Sequence, residues 1–89
     1  MYNEIDDQFA FAYAMLSDKL EVKAVCAAPF KNHRSQSPAD GMEKSFEETL
    51  RLLELLGHPA KEFAYKGSDR FLADVNTPVE SAAARRIIE

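Results

Sequence analysis

Helical and extended segments alternate along this 89-residue chain, and their order limits its possible folds more than any other feature. Hydrophobic periodicity predicts helices over residues 4–18, over 43–56 and from residue 77 onward, and strands over 20–28 and 62–66. Such alternation is typical of an α/β layer with a parallel sheet, in which a right-handed crossover joins the strands. We therefore expect an α/β fold: a partial open, mostly parallel sheet with flanking helices.

The first predicted helix carries apolar residues on one face. They recur at i, i+4, i+7 and i+11, and they are Ile5, Phe9, Ala12 and Leu16. Asp6 and Asp7 lie in the first turn, where carboxylates interact favourably with the positive end of the helix dipole. The pattern predicts an amphipathic helix with acidic residues at its start.

The first predicted strand begins with alternating side chains and ends as a continuous apolar run. It reads Leu-Glu-Val-Lys-Ala-Val-Cys-Ala-Ala over residues 20–28. Such a run is typical of a strand that becomes covered on both faces, as in parallel sheets. Cys26, the single cysteine, lies in this run and has no partner for an internal disulfide. We expect it to be a small buried core residue.

The middle helix is the clearest in the sequence, because a leucine-rich stripe runs through residues 43–56. Ser45 and Glu48 fit an S-x-x-E capping pattern, and an earlier start near Ser37–Pro38 remains an alternative. Gly57 is expected to end this helix.

The last predicted helix follows a loop over residues 69–76. It is expected to begin at Thr77, with Pro78 at the first helical position and Glu80 completing a capping box.

Composition and charge narrow the class of protein. Hydrophobic residues make up 46% and charged residues 29% of the chain, values typical of a folded globular domain. The formal net charge is −4 and no dense stripe of Lys or Arg occurs, so nucleic-acid binding is not expected. No apolar run approaches the ~20 residues that span a bilayer. The acidic N-terminus lacks the positive start of a signal peptide, and we expect a cytoplasmic protein without a membrane segment.

Three carboxylates stand at the start of the first helix, in the string Asn3-Glu4-Ile5-Asp6-Asp7. In open α/β sheets, ligands bind beyond the carboxyl ends of the strands, where the following helices begin. A carboxylate cluster there is a candidate site for a cation bound through oxygen, such as calcium or magnesium. The alternative is that these acids serve only as helix caps and partners of the helix dipole.

Asn32 follows the first predicted strand by a few residues, again at the edge where ligands bind in an α/β layer. Its amide is suited to bonding a ligand hydroxyl; alternatively, it is a turn asparagine of the kind that loops favour for backbone reasons. On the ligand-binding interpretation, we expect Asp6, Asp7 and Asn32 to converge at one edge of the sheet.

Several of these pieces recur together in a known family. Ile5-Asp6-Asp7 precedes an apolar helix, and the alanine-rich end of the next strand precedes Asn32. The middle helix ends Leu52-Leu53-Glu54-Leu55-Leu56-Gly57, and the second strand continues as Tyr65-Lys66-Gly67-Ser68. This ordered set resembles the inosine–uridine-preferring nucleoside hydrolases, whose D-x-D-x-x-x-D-D fingerprint ends in an aspartate pair. The resemblance covers essentially all 89 residues and is to the N-terminal portion of a divergent branch of that family.

The resemblance implies that residues 1–89 form the N-terminal segment of a nucleoside hydrolase-like α/β domain. It implies that Asp7 ligates a Ca²⁺ ion, and that Asp6 and Asn32 hold the ribose of a nucleoside substrate. The reaction implied for the full-length form is hydrolysis of the N-glycosidic bond of a ribonucleoside, by calcium-assisted attack of water.

Departures from the family fingerprint leave the catalytic machinery incomplete. The opening aspartate, thought to act as the base, would precede Met1, Tyr2 stands at the next aspartate position, and Asn3-Glu4 replaces Pro-Gly. No catalytic residue is therefore assigned, and activity of this chain itself is left open. The alternative is a non-catalytic truncated α/β domain that binds a partner or assembles with itself, because a truncated sheet leaves unpaired strand edges. On that ground we expect a homo-oligomer.

Overall fold

A computed structural model of the chain describes residues 5–59, 63–74 and 76–88, with side chains from Asp7 onward. Three helices alternate with two strands in these ranges. The elements are α1 (Ile5–Leu16), β1 (Val25–Ala27), α2 (Pro38–Leu55), β2 (Ala64–Lys66) and α3 (Ala82–Ile88). The α/β class predicted from the sequence is confirmed for the described residues.

The two strands pair in parallel, in the register Val25↔Ala64, Cys26↔Tyr65 and Ala27↔Lys66. The hydrogen-bond ladder continues one residue beyond each end of the paired segment: Val25 N–H donates to the Phe63 carbonyl at 2.8 Å, and Gly67 N–H donates to the Ala27 carbonyl at 2.8 Å. Both strands are shorter than predicted, since residues 20–24 and 28 lie outside β1 and Phe63 lies outside β2. Residue 62 of the second prediction lies outside the described residues.

Helix α2 packs against both strands. Its buried residues recur with helical spacing along one face and are Gly41, Met42, Ser45, Thr49 and Leu53. The Thr49 hydroxyl donates to the Ser45 carbonyl at 2.8 Å, which satisfies this buried polar group inside the helix. The core of the described chain therefore lies between α2 and one face of the sheet.

The start of α2 lies at the earlier of the two predicted positions. Ser37 is the N-cap and its Oγ accepts a hydrogen bond from Asp40 N–H at 3.1 Å. Pro38 occupies the first helical position. A backbone N–H at that position would have no acceptor within the helix, so proline costs no hydrogen bond there. The predicted capping box at Ser45 and Glu48 is wrong, because Ser45 is a buried residue two turns inside the helix.

The end of α2 is a Schellman motif, as the glycine predicted. Gly57 has a φ of 71°, which a residue with a β-carbon adopts only at a cost. Its N–H donates to the Glu54 carbonyl at 3.1 Å, and His58 N–H donates to the Leu53 carbonyl at 2.9 Å.

Helix α3 begins four residues later than predicted, with its cap at Ser81 rather than Thr77. Ser81 caps it, accepting a hydrogen bond from Ala84 N–H at 3.0 Å through its Oγ. The Thr77 hydroxyl instead donates to Asp74 Oδ1 at 3.0 Å, so Thr77 belongs to the preceding turn. The predicted start at Thr77 is therefore wrong: Asp74 supplies a turn acceptor that competes with helix capping.

The face of the sheet opposite α2 is only partly covered, and the prediction that Cys26 is buried is wrong: Cys26 is exposed. Successive strand residues point to opposite faces, so Cys26 and its partner Tyr65 lie on the other side from buried Ala27. Helix α3 packs on β2 there, with the Arg86 guanidinium 6.0 Å from the Tyr65 ring centre. The covering elements therefore reach β2 and leave Cys26 accessible.

Helix α1 forms where predicted, but the predicted apolar face is not the covered one. Phe9 and Leu16 are exposed. Phe11, Ala14 and Met15, on the other side of the helix, are partly buried, and of the predicted face Ala12 is partly buried as well. Within the described ranges, no helix combines the length and hydropathy needed to cross a bilayer.

Candidate functional site

The carboxyl ends of β1 and β2 meet at one edge of the sheet, and the chain leaves both strands there as loops. Gly67 is the first residue beyond β2, and its N–H bonds the last carbonyl of β1, that of Ala27. A β-carbon on Gly67 would lie 2.2 Å from the Ala27 oxygen, so the close approach of the loops requires glycine. This carboxyl edge is where an α/β sheet binds ligands.

Asn32 lies in the loop after β1, at the carboxyl edge, and its side-chain oxygen is used in the turn. Arg34 N–H donates to Asn32 Oδ1 at 2.8 Å. Ser35 N–H donates to the Asn32 carbonyl at 3.1 Å, and Asn32 N–H donates to Ser35 Oγ at 3.0 Å. These bonds fix the orientation of the Asn32 side chain and match the turn role that the sequence left open.

Ser35 was not among the predicted site residues, although it organises this loop. It is buried, and its hydroxyl donates to the Phe30 carbonyl at 3.0 Å while accepting from Asn32 N–H. The sequence signal was weak, because a serine in a polar loop does not reveal that its hydroxyl is turned inward.

Two charged residues of α2, Asp40 and Lys44, bind the end of this loop to the helix. The Asp40 carboxylate accepts a hydrogen bond from Gln36 N–H at 2.9 Å and lies 3.1 Å from Lys44 Nζ. The Gln36 backbone hydrogen bond, followed by that of Lys44, holds the pKa of Asp40 below its usual 3.8. Lys44 Nζ also donates to the Arg34 carbonyl at 2.6 Å. The S-x-x-D spacing of Ser37 and Asp40 was the signal from which this group could have been predicted.

The end of β2 adds a second charged contact with α2. Lys66 Nζ lies 3.0 Å from Glu43 Oε1 and 5.2 Å from the centre of the Phe46 ring. The ion pair is about half exposed, so it orients the Lys66 side chain and adds little to stability.

The loop after β2 forms one wall of a surface depression of about 400 Å³. Arg70 N–H donates to Ser68 Oγ at 3.2 Å, and the Arg70 guanidinium pairs with Asp69 at 3.1 Å. The depression is lined by Arg70, Phe71, Ala73, Thr77, Pro78, Val79 and Glu80. Its size falls in the range of small-molecule sites, and its lining mixes aromatic, cationic and anionic groups.

The acidic residues at the start of α1 are described only in part. Asp7 is an exposed residue in the first turn of the helix, and the side chain of Asp6 lies outside the described residues. The other end of α1 lies beside the segment that leads into β1, where Ala14, Met15, Val22 and His58 share a depression of about 210 Å³. The structure records no contact between Asp7 and Asn32 among the described side chains, so their predicted convergence stays a prediction.

The described residues do not by themselves make up a calcium site. Calcium takes six to eight oxygens, and one carboxylate supplies at most two. Across residues 7–59, 63–74 and 76–88, no group of three or more His, Cys, Asp or Glu side chains is placed to share a metal ion. Asp7 is thus one potential ligand, and the described side chains do not complete a metal-binding group around it.

The carboxyl edge therefore offers a rigid loop at Asn32, a glycine contact at Gly67 and an adjoining depression of small-ligand size. Comparisons of the chain with family models, curated proteins and solved structures gave no match.

Proposed function

We propose that this chain forms the ribose-binding edge of a nucleoside hydrolase-like fold, which in its full-length form hydrolyses the N-glycosidic bond of ribonucleosides. In this proposal Asp6 and Asn32 hold the ribose, and Asp7 contributes carboxylate oxygens to a Ca²⁺ ion. The remaining calcium ligands and the group that activates water are not assigned to any described residue.

The observation that carries the proposal is the shared carboxyl edge of β1 and β2. The parallel β1–α2–β2 unit sends the Asn32 loop and the Gly67–Ser68 turn to the same edge, where such sheets bind ligands. The order of strand, asparagine loop, leucine-rich helix, strand and glycine is also the order on which the sequence resemblance rests.

The placement of α1 supports a role for Asp7 at that edge. The C-terminal half of α1 lies beside Val22 and His58, which precede the amino ends of β1 and β2. A helix that returns from the carboxyl edge of a sheet ends on this side. The first turn of α1, with Asp7, would then lie about 12 Å back along the helix axis, toward the carboxyl edge.

The chemistry of the side chains fits ribose recognition. An asparagine side chain such as that of Asn32 carries an amide that can bond a ribose hydroxyl. Carboxylates such as Asp6 and Asp7 accept bonds from hydroxyls and stabilise positive charge on a sugar ring as the bond to the base breaks. These residues bind and orient the sugar; the proton transfer from the attacking water is not assigned to them.

A titration of the ¹⁵N-labelled chain with ribose and CaCl₂, followed by NMR, tests the proposal. We expect chemical-shift changes at Asn32, Ser35 and Gly67 that need both solutes and saturate at millimolar ribose, as weak binding by a partial site requires. Asp7→Asn should abolish the calcium dependence. Asp18→Asn, which changes an exposed aspartate beyond the other end of α1, should preserve it. Shift changes elsewhere, or an unchanged response in Asp7→Asn, would refute the proposed site.

A non-catalytic α/β module that assembles with itself is the second candidate function, favoured by the exposed apolar residues of α1. The two candidates differ in their reaction with inosine, uridine and a nitrophenyl riboside. Chelator-sensitive hydrolysis that Asp7→Asn loses supports the hydrolase. Absence of both hydrolysis and ribose-induced shifts supports the module.

A further inference from the structure

Large apolar side chains form a row on the outward side of α1. Phe9, Tyr13 and Leu16 recur at i, i+4 and i+7 and are 71%, 75% and 73% exposed; Leu20, just beyond the helix, is 57% exposed. These four residues are called the α1 stripe. Residues 8–17 contain no charged side chain, although 29% of the chain is charged. A helix that is apolar on all sides is typically buried on all sides.

The area of the α1 stripe matches one half of a protein–protein interface. With about 200 Å² for a whole aromatic side chain, the exposed parts of the four residues present roughly 500 Å². A standard interface buries about 800 Å² on each partner, of which about 65% is apolar in homodimers. The apolar share of such an interface is therefore about 500 Å², an area that the α1 stripe supplies alone.

The total accessible surface, of which the α1 stripe is a part, is also large for a chain of this mass. It is 6413 Å², whereas a compact monomer of this mass exposes about 5,200 Å². The radius of gyration, 13.4 Å, also exceeds the value of about 12 Å expected for this length. The accessible area of the chain thus exceeds that of a compact monomer by more than the ~800 Å² that one partner buries in a standard interface.

We infer that the α1 stripe packs against the α1 stripe of a second copy of this chain, with the helices antiparallel about a two-fold axis at Tyr13. Such an axis places Phe9 of one copy opposite Ser17 of the other, and Leu16 opposite Ala10. Phe9 and Leu16 then each face a small side chain, while Tyr13 faces Tyr13 of the other copy. Residues 9–17, which pair with one another about this axis, contain no charged side chain, so two copies with a net charge of −4 bring no like charges together there.

The inference does not depend on the proposed hydrolase activity, and sedimentation velocity tests it. At about 100 μM, an ordinary concentration for weak association, we expect a species of about 20 kDa, twice the chain mass of 10.0 kDa. Leu16→Glu should raise the dimer Kd at least ~30-fold, because it places a carboxylate in the apolar interface. Leu55→Glu is the matched control, since Leu55 is 70% exposed on α2, and it should leave Kd unchanged. A monomeric wild-type chain, or equal effects of the two variants, would overturn the inference.

Disulfide cross-linking tests the geometry without relying on the stability of a charged variant. In a Cys26→Ser background, Tyr13→Cys places two thiols beside the two-fold axis, and oxidised glutathione should convert them to a covalent dimer. Leu55→Cys in the same background should give none above the collision level. Equal cross-linking at both positions would contradict a contact between the two α1 stripes.

Discussion

The amide of Gly67 donates to the carbonyl of Ala27 at 2.8 Å, and a β-carbon on Gly67 would lie 2.2 Å from that same oxygen. One residue therefore extends the ladder between the strands and sets the distance between the two loops at the carboxyl edge. The candidate site depends on this contact, because a shift of either loop moves the Asn32 turn relative to Gly67–Ser68.

Gly67→Ala should destabilise the chain by about 2–3 kcal/mol, the upper part of the range for overpacking, because the clash is with a backbone atom that cannot rotate away. Urea unfolding followed by circular dichroism measures the change. Gly57→Ala is the matched control: its β-carbon meets nothing within 4 Å, and its φ of 71° costs about 1 kcal/mol. Equal losses in both variants would mean that close approach is not what requires glycine at position 67.

Ser37→Ala should lower the free energy of unfolding by about 1 kcal/mol, because Asp40 N–H loses its side-chain acceptor at the start of α2. Ser37→Asp should retain most of the stability, since a carboxylate caps as well and favours the helix dipole. Thermal unfolding of the three proteins decides the matter. A loss in Ser37→Asp as large as that in Ser37→Ala would show that capping is not the role of Ser37.

The ionised Asp40 carboxylate should stabilise the folded chain, and this contribution should be lost in acid. Folding lowers the pKa of this carboxyl through the Gln36 and Lys44 hydrogen bonds. A lowered pKa adds stability above the unfolded value, and this contribution disappears as the pH falls through the folded value. The difference in unfolding free energy between wild type and Asp40→Asn should therefore be largest near neutral pH and shrink below pH 3.8. Urea titrations at several pH values, with Asp18→Asn as a control for net charge, measure it. A difference that is independent of pH would contradict the assigned hydrogen bonds.

Cys26 should react with a thiol reagent such as dithiobisnitrobenzoate in the native protein, because its side chain is exposed on the open face of the sheet. The rate in the native protein should lie within about ten-fold of the rate in denaturant. A thiol that was buried in the native protein would react far more slowly than that. Cys26→Ser provides the blank. Reaction only after unfolding would restore the original expectation of a core cysteine and imply that something covers this face in solution.

Local signals in the sequence predicted part of this fold. Gly57 readily adopts the left-handed conformation that ends α2, and Ser37–Pro38 supplies a cap followed by a proline at its start. Both ends of α2 are therefore determined by residues next to them in the sequence. The alternation of helix and strand predicted the parallel pairing. Asn32 lies in the loop after β1 as predicted, where its side-chain oxygen serves the turn, and its role in ligand binding stays a prediction.

Features that depend on distant partners were predicted less well. The burial of Cys26 depends on whether a helix covers that half of the sheet, which the sequence of β1 does not contain. The start of α3 was missed for a local reason instead: Thr77 and Ser81 both suit a cap, and Asp74, three residues before Thr77, engages the Thr77 hydroxyl. The covered side of α1 was also misjudged, because apolar residues occur all around that helix.

The most direct test of the account is whether a metal ion held by Asp7 lies near Asn32. Gadolinium, a paramagnetic substitute for calcium, broadens amide resonances close to it. We predict that it broadens Asn32 and Gly67 while sparing α3, and that Asp7→Asn, but not Asp18→Asn, abolishes the effect. Broadening confined to α1, or unaffected by Asp7→Asn, would contradict the proposal that Asp6, Asp7 and Asn32 bind ribose and calcium together at the carboxyl edge of the sheet.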